Sequence, residues 1–217
     1  MDTIKPRKSL TEETYDRLLD AICYGDLTPG HRVNQDDIAQ RLNVSRQPVN
    51  SAITLLKADK LVEDTGRRGV VVSKLDPNLF SSIYEFRRTI EPFAVSLASE
   101  RFPEGAREEA DAVLAAGNAA IVSDDIRALV ETDMAFHQMI YGWSQNSAII
   151  ASMQVNWHHI RRAMVEVLQD PASRTDSWRD HAQIVETILA GDGPRAAVRM
   201  EKHIIRAYDE LIVSLVS

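Results

Sequence analysis

Residues 38–49 have the sequence IAQRLNVSRQPV, and this short stretch decides the fold of the N-terminal part of the chain. A predicted helix, Gln35–Leu42, ends at Asn43, a residue type that tolerates the left-handed conformation of a tight turn. Ser45 then caps a further helix that is predicted to run to about Asp59. Two helices joined in this way have the helix-turn-helix geometry, in which the second helix can enter the major groove of DNA.

Predicted elements on both sides extend this motif to a winged helix-turn-helix. A first helix is predicted over Thr11–Tyr24, because Thr11–Thr14 has a capping pattern and apolar residues then recur at helical spacing. Two strand-like runs, Leu61–Glu63 and Val70–Val72, flank a turn-rich segment that is typical of a hairpin tip. We therefore expect three helices and a small β-hairpin.

The cationic side chains stand where a DNA-binding motif needs them. Arg46 begins the third helix, where it can reach a guanine edge or a phosphate. Arg67 and Arg68 occupy the hairpin tip, where they can reach a minor groove or the backbone. The alternative interpretation is an ordinary three-helix domain with a solvated basic face. The remaining predicted DNA-binding residues are Ser45, Gln47 and Asn50.

The net charge of −7 at first argues against nucleic acid. However, residues 1–75 contain 12 Lys/Arg against 11 Asp/Glu, and the acidic excess lies in the rest of the chain. Exposed charges more than about 10 Å apart are largely screened, so the acidic part does not prevent DNA binding. The single cysteine, Cys23, cannot form an internal disulfide, and no apolar run is long enough to span a membrane. We expect a cytoplasmic protein without a secretory signal.

The rest of the chain is predicted to be an all-helical, antiparallel bundle of six to seven helices. Asp76-Pro77-Asn78 is typical of a linker. We divide the chain into a winged helix-turn-helix at 1–75, a linker at 76–80 and a helical domain at 81–217. The predicted helices of the bundle cover Ser81–Arg101, about Gly105–Val122, Asp124–Tyr141, Ser147–Leu168, Ser173–Ala190 and Pro194–Val216.

Four residues of the bundle have the spacing of a metal site. Asp133 and His137 are four residues apart and project from one helix face. His181 and His203 are equally distant from Asp192 in the turn between the last two helices, so a symmetric hairpin brings them level. One carboxylate and three imidazoles suit Zn²⁺ or Ni²⁺ and leave positions for water or a ligand. Taken singly, each histidine is more often an ordinary hydrogen-bonded core or surface residue than a metal ligand.

Three further side chains are candidates for binding an effector. Arg87 falls on the apolar stripe of its helix, where an unpaired guanidinium would be costly and a carboxylate ligand would satisfy it. The alternative is a structural ion pair with Glu85, Glu91 or another acid of the bundle. Asn156 and His159 lie beside a predicted core stripe and could line the same cavity.

Residues 11–75 resemble the GntR family of winged-helix repressors. The resemblance is carried by LLDAI at 18–22, GDLTPG at 25–30 and the stretch at 38–49, and it implies DNA binding. In a fatty-acid-responsive member, the positions that match Asp36, Arg46 and Asn50 are arginines that touch bases or phosphates. Only one of the three is an arginine here, so the resemblance does not carry over the operator sequence.

Residues 80–215 resemble the FCD ligand-binding domain of the FadR subfamily. The matching stretches are EFRRTIEPFA at 85–94, the pairs at 136–137 and 145–146, and HAQIVE through AGD at 181–192. Metal-binding members of that subfamily carry an aspartate, a histidine four residues later and two further histidines. In this sequence those positions are Asp133, His137, His181 and His203.

Together these features predict a homodimeric repressor, not an enzyme, that binds a palindromic DNA operator. Its helical domain is expected to hold a divalent metal ion, Zn²⁺ or Ni²⁺, and a small carboxylate effector. Two alternatives stay open. A metal-dependent hydrolase or lyase could be fused to the DNA-binding module, since an open metal site can activate water, although no general base stands beside the ligands. The metal could also be purely structural.

Overall fold

The computed structural model describes residues 8–66 and 69–216 of the 217-residue chain. The chain forms two compact units, Met1–Leu75 and Asp76–Ser217. Arg67 and Arg68, the predicted hairpin-tip contacts to DNA, lie outside the described residues.

The first unit has the predicted winged helix-turn-helix architecture. Its strands pair antiparallel, with Val62 opposite Val72. A segment that the sequence did not predict, His31–Val33, extends this hairpin on its other side, because the Val33 N–H donates to Val70 O at 2.9 Å. The elements are α1 (Leu10–Cys23), α2 (Gln35–Leu42), α3 (Arg46–Ala58), β1 (Val62–Asp64) and β2 (Val70–Val72).

The start of α1 differs from its prediction. Ser9, and not Thr11, is the N-cap: its Oγ accepts from the Glu12 N–H, and its own N–H donates to Glu12 Oε2 at 2.7 Å. This reciprocal capping box satisfies two N–H groups at the helix end. The pattern at Thr11–Thr14 lies inside the helix, where Thr14 Oγ1 donates to Leu10 O instead.

The turn before α3 is as predicted in its backbone but not in its capping. Asn43 is left-handed, with φ 52° and ψ 47°, and it ends α2. Ser45 occupies the N-cap position of α3, but its side chain makes no capping hydrogen bond. The other end of α3 is tied to α1, since the Tyr15 hydroxyl donates to Asp59 Oδ2 at 2.6 Å.

The second unit is all-helical in its described part, as predicted. Asp76 and Pro77, assigned to a linker from the sequence, instead begin the first helix: the Asp76 side chain accepts from the Asn78 N–H, and proline is tolerated in a first turn. The single helix predicted over Ser147–Leu168 is broken at Val155 and Asn156. The helices are α4 (Pro77–Arg101), α5 (Ala106–Val122), α6 (Ile126–Ser144), α7 (Ser147–Gln154), α8 (Trp157–Val167), α9 (Pro171–Leu189) and α10 (Gly193–Val216).

Helix α6 forms much of the core of the second unit. Its inward side contributes fully buried apolar residues such as Leu129, Phe136 and Ile140. Helix α4 packs against both α6 and α10, and α9 packs against α10. The buried polar residues of these helices therefore face one another across the core. In the described part of the chain, no helix combines the length and apolar character that a bilayer crossing requires.

Candidate metal centre

The structure brings the four residues of the predicted metal site together. Helix α6 carries Asp133 and His137, which are one turn apart. Helices α9 and α10 contribute His181 and His203, which lie next to each other. All four residues are buried, and none is exposed by more than 3%. We call this set the His–Asp cluster; its members are Asp133, His137, His181 and His203.

Distances inside the His–Asp cluster match those between ligands of one ion. His181 Nε2 lies 3.3 Å from His203 Nε2 and 3.4 Å from Asp133 Oδ1. Asp133 Oδ2 lies 3.6 Å from His137 Nε2, and one ring nitrogen of each histidine is within 4.8 Å of the others. Tetrahedral ligands at about 2.0–2.1 Å from Zn²⁺ are roughly 3.3 Å apart. The cluster is therefore close to the spacing that a small divalent cation needs.

The protonation state of the cluster also suits a cation. Burial lowers the pKa of His181 well below its usual value, and the neighbouring His203 and His137 lower it further. Burial also lowers the pKa of His203, although nearby Asp180 opposes the shift. Metal ions bind neutral imidazole, which is the form that burial favours for His181 and His203. His137 Nε2 is buried and, among the described residues, has no hydrogen-bond partner.

The carboxylate of the cluster is costly to bury without a counter-charge. Burial raises the pKa of Asp133. The charge interactions with His137 and His203 lower this pKa, but they offset only part of the effect of burial. A divalent cation between the ligands would supply the missing positive charge. The donor set and its buried, unpartnered nitrogen thus fit a metal ion.

Aromatic side chains hold His181 in place. Phe136 stacks on its ring at a centroid distance of 3.8 Å, and the Trp178 ring lies 4.9 Å away. The Trp178 indole N–H donates to Leu114 O at 2.9 Å, and its ring covers Gly117 of α5. This packing restricts the orientation of the imidazole ring.

Arg87 is buried as predicted, but it is not unpaired. Its Nε lies 2.6 Å from Glu91 Oε1, so the alternative of a structural ion pair is what the structure shows. The same guanidinium lies over the Tyr84 ring at 4.9 Å. Glu91 also contacts the cluster, with Oε2 at 2.6 Å from His137 Nδ1. Arg87 is therefore linked to a candidate metal ligand through a carboxylate, a connection that the sequence did not predict.

A small cavity of about 20 Å³ lies beside the cluster. It has room for about one water molecule, so an organic acid does not fit unless side chains move. The residues that line it come from α4, α6, α8, α9 and α10, together with Leu168 directly after α8. The lining residues are Tyr84, Arg87, Asp133, His137, Met164, Val167, Leu168, Ser177, His203 and Ala207.

Asn156 and His159 do not line this cavity, contrary to the prediction that they share it with Arg87. Both residues lie at the N-terminal end of α8, whereas the α8 residues that line the cavity, Met164 and Val167, lie toward its other end. Asn156 becomes the N-cap residue of α8 and donates from Nδ2 to Ser152 O at 3.2 Å. His159 is buried elsewhere on α8.

The predicted DNA-contacting residues of the first unit share an exposed face at the start of α3. Ser45, Arg46, Gln47 and Asn50 are all exposed. Arg46 Nε lies 2.5 Å from Asp36 Oδ1 of α2, with 71% and 60% of the two side chains exposed. An exposed pair of this kind is weak, so Arg46 can exchange its partner for DNA.

Comparison with known proteins identifies both units. Residues 82–206 match the FCD domain, and residues 10–72 match the bacterial regulatory proteins of the gntR family. The Nta operon transcriptional regulator of Aminobacter aminovorans is 27% identical over 187 residues, which cover 85% of this chain and 86% of that protein. The HTH-type transcriptional repressor RspR of Escherichia coli (strain K12) is 24% identical over 208 residues, with 93% and 88% covered. A solved GntR transcriptional regulator from Rhodococcus sp. RHA1 has the same fold, with a TM-score of 0.81 at 22% identity, covering 94% of this chain and 98% of that chain.

Proposed function

This chain belongs to the GntR family of transcriptional regulators that carry an FCD domain, and we propose that it is a metal-containing, ligand-responsive repressor. Its relatives regulate transcription and are not enzymes. We assign operator binding to residues 1–75 and metal and effector binding to residues 81–217. A homodimer would place two copies of α3 on the two half-sites of a palindromic operator. Repression, as opposed to activation, is supported by the relative RspR, which is named as a repressor.

The observation that carries the proposal is the His–Asp cluster. Three imidazoles and one carboxylate converge from three helices in a buried position, and neighbouring ligand atoms lie 3.3–3.6 Å apart. A mixed nitrogen and oxygen donor set of this kind favours a borderline divalent ion, and we propose Zn²⁺ or Ni²⁺. A bound ion would supply an electrophilic position for a carboxylate oxygen.

Charge around the cavity supports an anionic effector. Arg87, Glu91 and Asp133 together carry one net negative charge when ionised, and a divalent cation would change this to one net positive charge. A small carboxylate would then neutralise a buried site that is otherwise costly. The pair with Glu91 uses Nε of Arg87, and a guanidinium has further N–H donors for a ligand oxygen.

The small size of the cavity supports a coupling between effector and DNA. Because the cavity holds about one water, any larger acid requires lining residues such as Met164 and Val167 of α8 to move. A ligand that binds only the expanded state shifts the population toward it. Such coupling typically changes affinity at a second site by about 5- to 150-fold.

Metal binding is tested by elemental analysis of wild-type protein and two histidine variants. Wild type should hold about one divalent ion per chain after dialysis against Zn²⁺ or Ni²⁺. His203→Ala should hold far less, while the matched control His158→Ala, on α8 and outside the cluster, should keep the wild-type content. Equal metal content in the two variants would show that the cluster is not the site.

Effector control is tested with the metal-loaded protein and a set of small mono- and dicarboxylates. An acid that binds beside the metal should raise the melting temperature of wild type and shift its affinity for DNA selected from the genome of the source organism. If chelation lowers the melting temperature but no acid changes DNA affinity, the metal is structural. If no genomic fragment is retained at low salt, the operator proposal is refuted.

A further inference from the structure

Two of the three clustered imidazoles lie next to the same arrangement of charged side chains. In each case an arginine contacts a carboxylate, and that carboxylate faces Nδ1 of the histidine. The ring nitrogen on the other side, Nε2, then faces the centre of the His–Asp cluster. The two arrangements involve different helices, so they are independent of each other.

The first arrangement is completely buried. Arg87 Nε lies 2.6 Å from Glu91 Oε1, and Glu91 Oε2 lies 2.6 Å from His137 Nδ1. The three side chains are exposed by 3%, 0% and 0%. The Arg87 guanidinium therefore supplies a counter-charge next to the buried Glu91 carboxylate.

The second arrangement lies nearer the surface. Arg206 Nη2 lies 2.8 Å from Asp180 Oδ2, and the same oxygen is 3.7 Å from His203 Nδ1. Arg206 and Asp180 are exposed by 25% and 29%, whereas His203 is buried. Within the described part of the chain, His203 Nδ1 has no hydrogen-bond partner at normal distance.

A carboxylate at Nδ1 decides which face of an imidazole can bind a metal. A neutral ring has one N–H donor and one lone pair, and the acceptor at Nδ1 favours the tautomer that carries its proton there. The lone pair then lies on Nε2. Carboxylates in this position also fix the ring orientation and make the ligand more basic.

We propose that Glu91 and Asp180 are positioning residues of the metal site, which hold His137 and His203 as Nδ1–H tautomers with Nε2 directed at the ion. The inference rests on the proposed metal binding. It assigns Arg87 and Arg206 the matching task of keeping each carboxylate in place. The ion pair found for His181 among the described residues is on Nε2, with Asp133, and the ring is oriented by stacking on Phe136.

Metal affinity measured against a competing chelator tests the proposal on the full chain. Glu91→Gln should weaken Zn²⁺ or Ni²⁺ binding by about 10- to 100-fold, the usual cost of losing an outer carboxylate. Asp180→Asn should weaken it less, because its longer contact is partly exposed to solvent. The matched control is Asp176→Asn, since Asp176 also contacts Arg206, at 3.7 Å, but is not paired with a clustered histidine. That control should keep the wild-type metal affinity.

A second readout separates positioning from a merely structural role. Two-bond ¹H–¹⁵N NMR spectra of the histidines should show protonated Nδ1 for His137 and His203 in wild type. The signal of His137 should change in Glu91→Gln, and that of His203 in Asp180→Asn. If Glu91→Gln does not fold, Arg87→Met with Glu91→Gln removes both buried charges, should fold, and should still bind metal weakly.

The proposal is overturned if both carboxylate variants keep wild-type metal affinity and wild-type tautomers, even when their metal-free forms melt at lower temperature. A loss of affinity equal to that of Asp176→Asn would also overturn it for Asp180. Absence of metal binding by wild type would refute the proposed function itself, and this inference with it.

Discussion

Gly117→Ala tests how the core packing holds the candidate metal site. Gly117 lies within α5, and a Cβ at this position would overlap three atoms of the Trp178 ring, Cζ2, Cε2 and Cη2. Carbon atoms in contact are normally about 3.5–4.0 Å apart, so the indole must move. It cannot move freely, because it is 5% exposed, donates to Leu114 O and packs on His181.

The expected magnitude follows from two opposing effects. Overpacking a core costs about 1–3 kcal/mol, and a rigid, hydrogen-bonded ring places this case near the upper end. Alanine is favoured over glycine inside a helix by about 1 kcal/mol. Overpacking wins, and Gly117→Ala should lower the free energy of unfolding by about 2 kcal/mol. For a unit of this size, this corresponds to a melting temperature lower by roughly 4–8 °C.

The assay is urea unfolding of the metal-free protein followed by tryptophan fluorescence. All three tryptophans, Trp143, Trp157 and Trp178, lie in the second unit, so the signal reports on that unit alone. The matched control is Gly142→Ala in α6, where an added Cβ meets nothing within 4 Å. The control should be as stable as wild type or slightly more stable. If Gly117→Ala is also as stable as wild type, the packing argument is refuted.

Two further predictions concern the first unit. Arg46→Ala should weaken operator binding by about 1–3 kcal/mol if Arg46 contacts a base, and gel-shift titrations on operator and random duplexes decide this, since equal weakening on both would assign it to a phosphate. Tyr15→Phe should flatten the loss of stability at alkaline pH. Burial and the hydrogen bond to Asp59 raise the pKa of Tyr15 well above its usual value of 10.0, so the folded state keeps a proton that the unfolded state releases, and stability falls as pH rises above about 10. Parallel stability curves for Tyr15→Phe and wild type between about pH 9 and 11 would contradict this.

The sequence was sufficient to predict the fold where local rules agree with one another. The helix-turn-helix follows from Asn43, which ends α2 in the left-handed region, and from regular apolar spacing on both sides. Local rules were misleading where two residues could be the N-cap of the same helix, as with Ser9 and Thr11 at the start of α1. They were silent at Val155 and Asn156, where α7 ends without a glycine or proline.

The pairing of the candidate ligands was predictable, because it follows from helix spacing. The spacing of four residues places Asp133 beside His137, and equal distances from a turn bring His181 level with His203. The supporting residues were not predictable in this way. Asp180 of α9 faces His203 of α10, and Gly117 of α5 meets Trp178 of α9. Both contacts form only when the helices pack against each other. The position of Asn156 was missed because the break that makes it the N-cap of α8 was not predicted.

The central claim is that a metal-bound acid changes the affinity of this protein for its operator. Fluorescence anisotropy of a labelled operator duplex tests it most directly. Wild type and His203→Ala, both incubated with the metal, are titrated with and without a carboxylic acid that raises the melting temperature of wild type. The account predicts a shift of the dissociation constant of about 5- to 150-fold in wild type and none in His203→Ala. Equal shifts in the two proteins, or no shift in wild type with any acid that binds it, would contradict the account.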